Sequence, residues 1–231
     1  MNAGPVELQW VRTPHQDRSR KTLERLLDTS EALLQERGFD NVSVAEIAHA
    51  AGSSVGAFYA RFRDKNGLLH HLHERFCEEA MVTADTALDP ARWEGASTRD
   101  ILTAVIGFLE ESHRTRSGMF RAFVLVGHSD PRFQERDRRL SEHVLARLTA
   151  LLLSRREEIS HPDPTFAIAF GMEMVGGVLR DRYVLGWHRL RAAPKGAGGI
   201  VAELVRAYCS YLGVPLCGTA PAAQPPSAGG D

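Results

Sequence analysis

Ser43-Val44-Ala45-Glu46-Ile47-Ala48-His49-Ala50-Ala51-Gly52-Ser53-Ser54-Val55-Gly56-Ala57-Phe58-Tyr59-Ala60-Arg61-Phe62-Arg63-Asp64-Lys65-Asn66-Gly67-Leu68 decides how this chain folds. Ser43 and Glu46 have the spacing of a capping box, in which each side chain covers the other residue's free backbone N–H. The helix they open buries Val44, Ile47, Ala48 and Ala51 and ends at Gly52. After a tight polar turn, Ser54 caps a second short helix running to about Phe62. That helix buries Phe58 and Phe62 and presents Tyr59 and Arg61; Lys65 follows it. Two short helices across a tight turn suit a helix-turn-helix that enters the major groove of DNA.

Upstream, Leu23, Leu26, Leu27, Leu33 and Leu34 recur at helical spacing from about Asp17. Gly38 stops that helix as a left-handed residue, and Phe39 supplies the apolar contact that closes a Schellman motif. Residues 1–16 carry Pro5 and Pro14 with no helical period and are expected to form a flexible arm. Downstream, Asp64 caps a long helix along Leu68, Leu69, Leu72 and Phe76 toward Thr86. Ser97 starts another to about Arg116. Ser117-Gly118 breaks it before a short apolar helix, Met119 to Val126.

Asp130-Pro131 and Asp163-Pro164 are paired start signals, Asp at the cap and Pro in the first turn. The first opens the helix of Leu140, Val144, Leu148, Leu151 and Leu152. The second opens that of Phe166, Phe170, Met174, Val178 and Tyr183. Gly171, Gly176 and Gly177 inside it are expected to permit close helix approach. Residues 193–199 form a loop, Ile200, Leu204 and Tyr208 mark a last helix, and the Pro/Ala/Gly-rich 213–231 is expected to be disordered. The expectation is an all-α protein of about nine helices. Residues 17–63, with the next helix to about 80, form the DNA-binding head, and 64–212 form a larger bundle.

Bulk numbers agree. Of 231 residues, 43% are hydrophobic, 25% charged and only 7% aromatic, which leans to helix over sheet. The net charge of −1 gives no hint of nucleic acid, but Arg12, Arg18, Arg20, Lys21 and Arg25 cluster early, and Arg61, Arg63 and Lys65 follow the turn. A DNA binder needs only one basic face. The early cluster suits either a minor-groove arm or a solvated tail. Three unpaired cysteines and no apolar leader or membrane-length run point to a reduced, cytoplasmic setting, and DNA binding adds the expectation that the protein is nucleoid-associated.

Gap-free over about residues 20–80, the chain resembles the tetracycline-repressor (TetR) family of bacterial regulators. The family pattern pairs Gly with Phe or Tyr, here Gly38-Phe39. It continues Ser/Thr-Val-x-x-Ile-Ala-x-x-Ala-Gly, here Ser43 to Gly52, and Ser-x-Gly-x-x-Tyr-x-x-Phe-x-x-Lys-x-x-Leu, here from Ser54 through Tyr59, Phe62 and Lys65 to Leu68. Ser53 departs from it, because the family has an apolar residue there. The resemblance implies a homodimer with two DNA-binding heads on a palindromic operator. It also implies a C-terminal bundle holding a small-molecule effector, whose binding spreads the heads.

Each DNA-facing residue type has its chemistry. Ser54 opens a helix whose free N–H groups favour phosphate, as Ser43 opens the one before it. Gly56 permits close approach, and Val55 and Ala57 offer only apolar contacts, such as to thymine methyls. Tyr59 reaches phosphate through its hydroxyl. Arg61 suits phosphate or guanine, and Lys65 is a point charge for the backbone. With no Asn or Gln in this helix, sequence preference is expected to rest on methyl contacts, Arg61 and DNA shape. For an effector pocket the candidates are Phe108, Phe123, Phe166, Phe170 and Met174, with Glu110, Glu111, His113 and His128 as the polar part.

No catalytic residue, cofactor or metal is expected. The chain has no phosphate loop or HExxH. His70, His71, His73 and Cys77 invite a metal reading, since His73 and Cys77 are four apart on one helix face, but a zinc site needs three or four ligands. The chain is thus expected to be a repressor released by an apolar ligand. The alternative is an architectural or cell-division factor on the same fold, controlled by a protein partner.

Overall fold

The computed structural model describes residues 17–186 and 199–215. The arm at 1–16, Trp187, the 193–198 loop, Cys217 and the 216–231 tail lie outside the described residues. Among the described residues nine α-helices follow in order: α1 (Asp17–Arg37), α2 (Val44–Ala50), α3 (Val55–Tyr59), α4 (Lys65–Ala87), α5 (Thr98–Thr115), α6 (Ser117–Gly127), α7 (Pro131–Leu153), α8 (Pro164–Leu179) and α9 (Gly199–Leu212). No strand occurs among the described residues. The expected all-α architecture is the one observed.

The expected start signals form in place. Ser43 and Glu46 make both bonds of the capping box, and Ser54, Asp64, Ser97, Asp130 and Asp163 each accept a backbone N–H of the helix they open. Gly38 and Gly52 adopt φ of 78° and 58°, the left-handed conformation in which glycine escapes the Cβ clash. Three boundaries differ from expectation. α3 ends at Tyr59, not Phe62, because Asp64 begins the next cap only five residues on. The 89–97 loop contains a 3-10 turn, Pro90–Trp93. The helix expected through Tyr183 is α-helical only to Leu179, then continues as a π-helical turn, Arg180–Leu185, ended by Gly186 at φ 69°.

The head is not a free-standing unit. Its core of Leu23, Leu26, Leu27, Leu34, Val42, Ile47, Phe58, Phe62, Leu68, Leu69 and Leu72 is continuous with Met119, Ala122 and Phe123 of α6 and Phe133 of α7. Gly118 marks the seam. A Cβ there would lie 2.6 Å from the Leu34 carbonyl oxygen, so α1 and α6 touch backbone to backbone. The Gly118 N–H donates to Gln35 Oε1 at 3.0 Å, and Arg75 of α4 reaches Asp28 and Glu31 of α1 at 2.6 and 2.8 Å. A second core joins α4, α5, α7, α8 and α9 through Ile101, Ile106, Leu148, Leu151, Ile168, Val175 and Tyr208.

Candidate nucleic-acid interface

α3 is five residues long, and its two faces are sharply unlike. Phe58 is fully buried, as is Phe62 just beyond the helix, with ring centroids 5.0 Å apart. Tyr59, half exposed at 51%, stands on the outer side with its ring edge-on to Phe58. Val55 and Gly56 are exposed and Ala57 half-buried. A Cβ on Gly56 would meet only Ser54 Oγ at 3.8 Å, so this flank of the helix is open to a close approach. Ser54 is exposed and its hydroxyl accepts the Ala57 N–H at 3.0 Å, fixing the start of α3. Ser54, Val55, Gly56 and Tyr59 are thus exposed on the head, with Ala57 half-buried between them.

The other three expected residues have work inside the head. Ser43 Oγ donates to Glu46 Oε2 at 2.7 Å and accepts the Glu46 N–H at 3.2 Å. The Ser43 N–H, the Ser43 hydroxyl and Arg37 together lower the Glu46 carboxyl to a pKa of about 2. A carboxylate beside Ser43 opposes a phosphate there, partly offset by Arg37 at 2.9 Å. Arg61 lies past the end of α3 and donates to the Ala57 carbonyl at 2.8 Å. Lys65 donates through Nζ to the Val42 carbonyl at 2.8 Å, and its ammonium sits 4.2 Å from the Phe39 ring centroid. Burial lowers its pKa, opposed by Asp40 and Glu46. Sequence reasoning missed this staple between the start of α4 and the α1–α2 loop, because nothing local in the chain links positions 23 apart.

The expected pocket residues do not converge, and here the expectation is corrected. Phe123 is buried in the head-side core, against His73, Phe76, Phe120 and Phe133. Phe108 is exposed on α5. Phe166 and Phe170, 56% and 44% exposed, stack at 6.0 Å on the outside of α8, and Phe170 meets Tyr211 of α9 at 5.1 Å. Met174 packs at the margin of the bundle core. The reason is phase: positions four apart on α8 share a face, and the inward face is taken by Ala167, Ile168, Gly171 and Val175.

The polar candidates are also dispersed. Glu110 accepts the Tyr183 hydroxyl, Glu111 pairs with Arg114, His113 bonds the Leu109 carbonyl, and His128 is exposed. One open depression of about 420 Å³ lies between the α5 start and the α7 end, lined by Ser97, Ser154, Arg155 and Glu158. It is polar and holds none of the expected pocket residues.

Residues 26–72 match the family of bacterial regulatory proteins, tetR family, and residues 97–212, half the chain, match the tetracyclin repressor-like C-terminal domain. The chain belongs to the TetR family. It is a TetR-family transcriptional regulator with a helix-turn-helix DNA-binding domain. Two Bacillus subtilis relatives share the head. "Uncharacterized HTH-type transcriptional regulator YwcC" is 44% identical over 54 residues, 23% of this chain and 24% of that protein. "Probable HTH-type transcriptional regulator YttP" is 28% identical over 95 residues, 41% and 45% of the two chains. The chain thus spans less than half the length of these curated relatives.

Solved TetR-type structures share the fold over most of the chain. Salmonella enterica GusR has a TM-score of 0.60 at 20% identity, covering 83% of this chain and 95% of that one. A TetR transcription regulator from Haloarcula marismortui has 0.64 at 15%, covering 84% and 97%. Among the described residues, no helix is long and apolar enough to cross a membrane.

Proposed function

We propose that this TetR-family regulator is a homodimeric repressor that reads a palindromic operator with two copies of α3 and is released by an apolar small molecule. The observation that carries the reading is the single core shared by the head and α6–α7. Interiors are close-packed, so a shift of α6 or α4 in the bundle moves the head with it. Ser54, Val55, Gly56, Ala57 and Tyr59 form the groove-facing surface, with Arg61 and Lys65 at its edge. Dimer symmetry then sets two half-sites one helical turn or a multiple apart.

Phe108 and Met174 are the two expected pocket residues that neither the head core nor the α8 outer face claims. The effector must prefer the spread-head state, and a coupling of about 1–3 kcal/mol suffices for a switch. Selection of bound genomic fragments, then gel shifts at moderate salt, tests the operator. Uniform weak binding at the level of random DNA would overturn it. A thermal-shift screen, with hits retested in the gel shift, tests release; hits that stabilise the protein without changing DNA affinity refute it.

A second reading is an architectural or cell-division factor controlled by a protein partner. Phe108 of α5 and Val124 and Leu125 of α6 are large apolar side chains exposed to solvent, and they favour it. Many dispersed genomic sites, in place of a few palindromes, would select this reading.

A further inference from the structure

α4 and α7 cross where three side chains with metal-binding atoms meet. His73 and Cys77, one turn apart on α4, are 1% and 3% exposed, and Asp137 of α7 faces them with an exposed side chain. His73 Nε2 lies 2.9 Å from Asp137 Oδ1 and 3.6 Å from Cys77 Sγ, and all three ligand atoms fall within 4.8 Å of one another. Bonds of 2.0–2.3 Å in a tetrahedral zinc site put neighbouring ligand atoms roughly 3.3–3.8 Å apart. The three atoms need adjust by only about an ångström to reach that spacing. We propose that His73, Cys77 and Asp137 bind one divalent cation of the zinc class per chain, with the fourth position open to water on the Asp137 side.

The donor set is the first argument. A buried imidazole and thiol with one carboxylate suit a borderline-soft ion and not Mg²⁺ or Ca²⁺, which take oxygen. Position 137 is also the ligand that the sequence could not pair with His73, because it lies 64 residues on.

The second argument is an acceptor waiting for a displaced arginine. Arg136 Nε donates to His73 Nδ1 at 3.1 Å and its other nitrogen bonds His70 Nδ1 at 2.9 Å. A guanidinium only donates, so both Nδ1 atoms accept. Both rings are therefore neutral with hydrogen on Nε2, which His73 gives to Asp137 and His70 to Asp130 at 3.0 Å. Loading moves the His73 proton from Nε2 to Nδ1, and Arg136 must leave that nitrogen. Glu74, one residue along α4, has a buried Oε2 with no hydrogen-bond partner, and its charge interacts with Arg136. It takes the freed guanidinium.

The proton balance is simple. His73 stays neutral, Asp137 binds as carboxylate, and the Cys77 thiol gives one proton to solvent per ion bound. Burial pushes that thiol up to about 12, so the empty site holds it protonated and the ion itself must displace the proton. Because α4 begins in the head at Lys65, the ion joins the helix leaving the DNA domain to α7 of the bundle.

Cobalt(II), added to reduced full-length protein, tests the site. The expected result is a thiolate-to-cobalt charge-transfer band with tetrahedral d–d bands, saturating at one ion per chain and reversed by Zn²⁺. Cys77→Ser should lose the charge-transfer band. Asp137→Asn, at an exposed side chain, should fold normally and weaken binding about tenfold or more. His143→Gln, in the exposed pair with Asp85, should change nothing. Absence of the band overturns the proposal. So does a band that survives Cys77→Ser, which would place the thiolate at Cys209 or Cys217, or binding untouched by Asp137→Asn. None of these readings depends on the operator.

Discussion

Tyr59 and Lys65 sit six positions apart and answer to different forces. Tyr59 sets its ring edge-on to Phe58 and is half exposed, which leaves its hydroxyl able to meet a phosphate. Tyr59→Ala should keep the melting temperature and weaken operator binding about tenfold or more, the worth of one hydrogen bond to a charged group. Gel shifts with paired thermal melts check it. Lys65 has two duties, since its ammonium bonds the Val42 carbonyl and lies against Phe39. Lys65→Ala should weaken binding to every sequence alike and also lower head stability by about 1 kcal/mol. Melts of the free protein separate the second effect from the first.

Glu46 gives the residue scale its pH dependence. Its folded pKa of about 2 lies below the ordinary 4.5 of a free glutamate, chiefly through the Ser43 backbone N–H, then the Ser43 hydroxyl and Arg37. A depressed carboxylate contributes stability that is fully present above the unfolded pKa and is lost as pH falls through the folded one. The contribution should fade between about pH 4.5 and 2. Glu46→Gln keeps a side chain that can cap but removes the charge, and should flatten that part of the stability profile. Urea titrations of both proteins across the window decide it.

At the scale of elements, caps were legible in the sequence and neighbours were not. Ser43, Ser54, Asp64, Ser97, Asp130 and Asp163 act on bonds within three residues of themselves, so their positions could be read directly. The glycines of α8 show the limit. All three were expected to permit close packing, but only Gly171 meets its own chain: a Cβ there would stand 1.8 Å from the Tyr208 ring, while Gly176 and Gly177 face open space. Which side of α8 faces inward depends on α9, some 37 residues on, and no local pattern encodes that. The five expected pocket residues are dispersed for the same reason, since an apolar residue at helical spacing fits a core, a pocket or a seam equally well. Gly171→Ala must push against a buried ring whose hydroxyl bonds the Ile168 carbonyl. Overpacking of this kind costs about 1–3 kcal/mol, and Gly118→Ala, pressed on the α1 backbone, should cost at least as much. Denaturant melts should rank both well below Gly176→Ala, which adds a methyl in open space.

For the whole molecule, the decisive question is what covers the outside of α8 and α9. Phe170 and Val178 of α8 and Leu204 and Tyr208 of α9 are large side chains at helical spacing along these two helices. Leu204 and Tyr208 are buried within the chain's own core, so a charge at Leu204 would unfold the bundle and report nothing about pairing. The outward residues are Phe166 and Phe170, which extend through Tyr211 across both helices, with Gly176 and Gly177 open on α8. Two stacked phenylalanines left in water are costly, at about 1.5–3 kcal/mol for each side chain once fully buried. A two-fold partner presenting the same patch would cover them, as a self-complementary seam requires. Phe170→Asp should therefore give folded monomers, with helical content unchanged and the sedimentation coefficient lowered. Each monomer carries one α3, so operator affinity should collapse toward that of a single half-site, while the weak affinity for random DNA changes far less. A variant that remains dimeric with its fold intact would place the seam elsewhere on the bundle and leave the α8 stack to another partner.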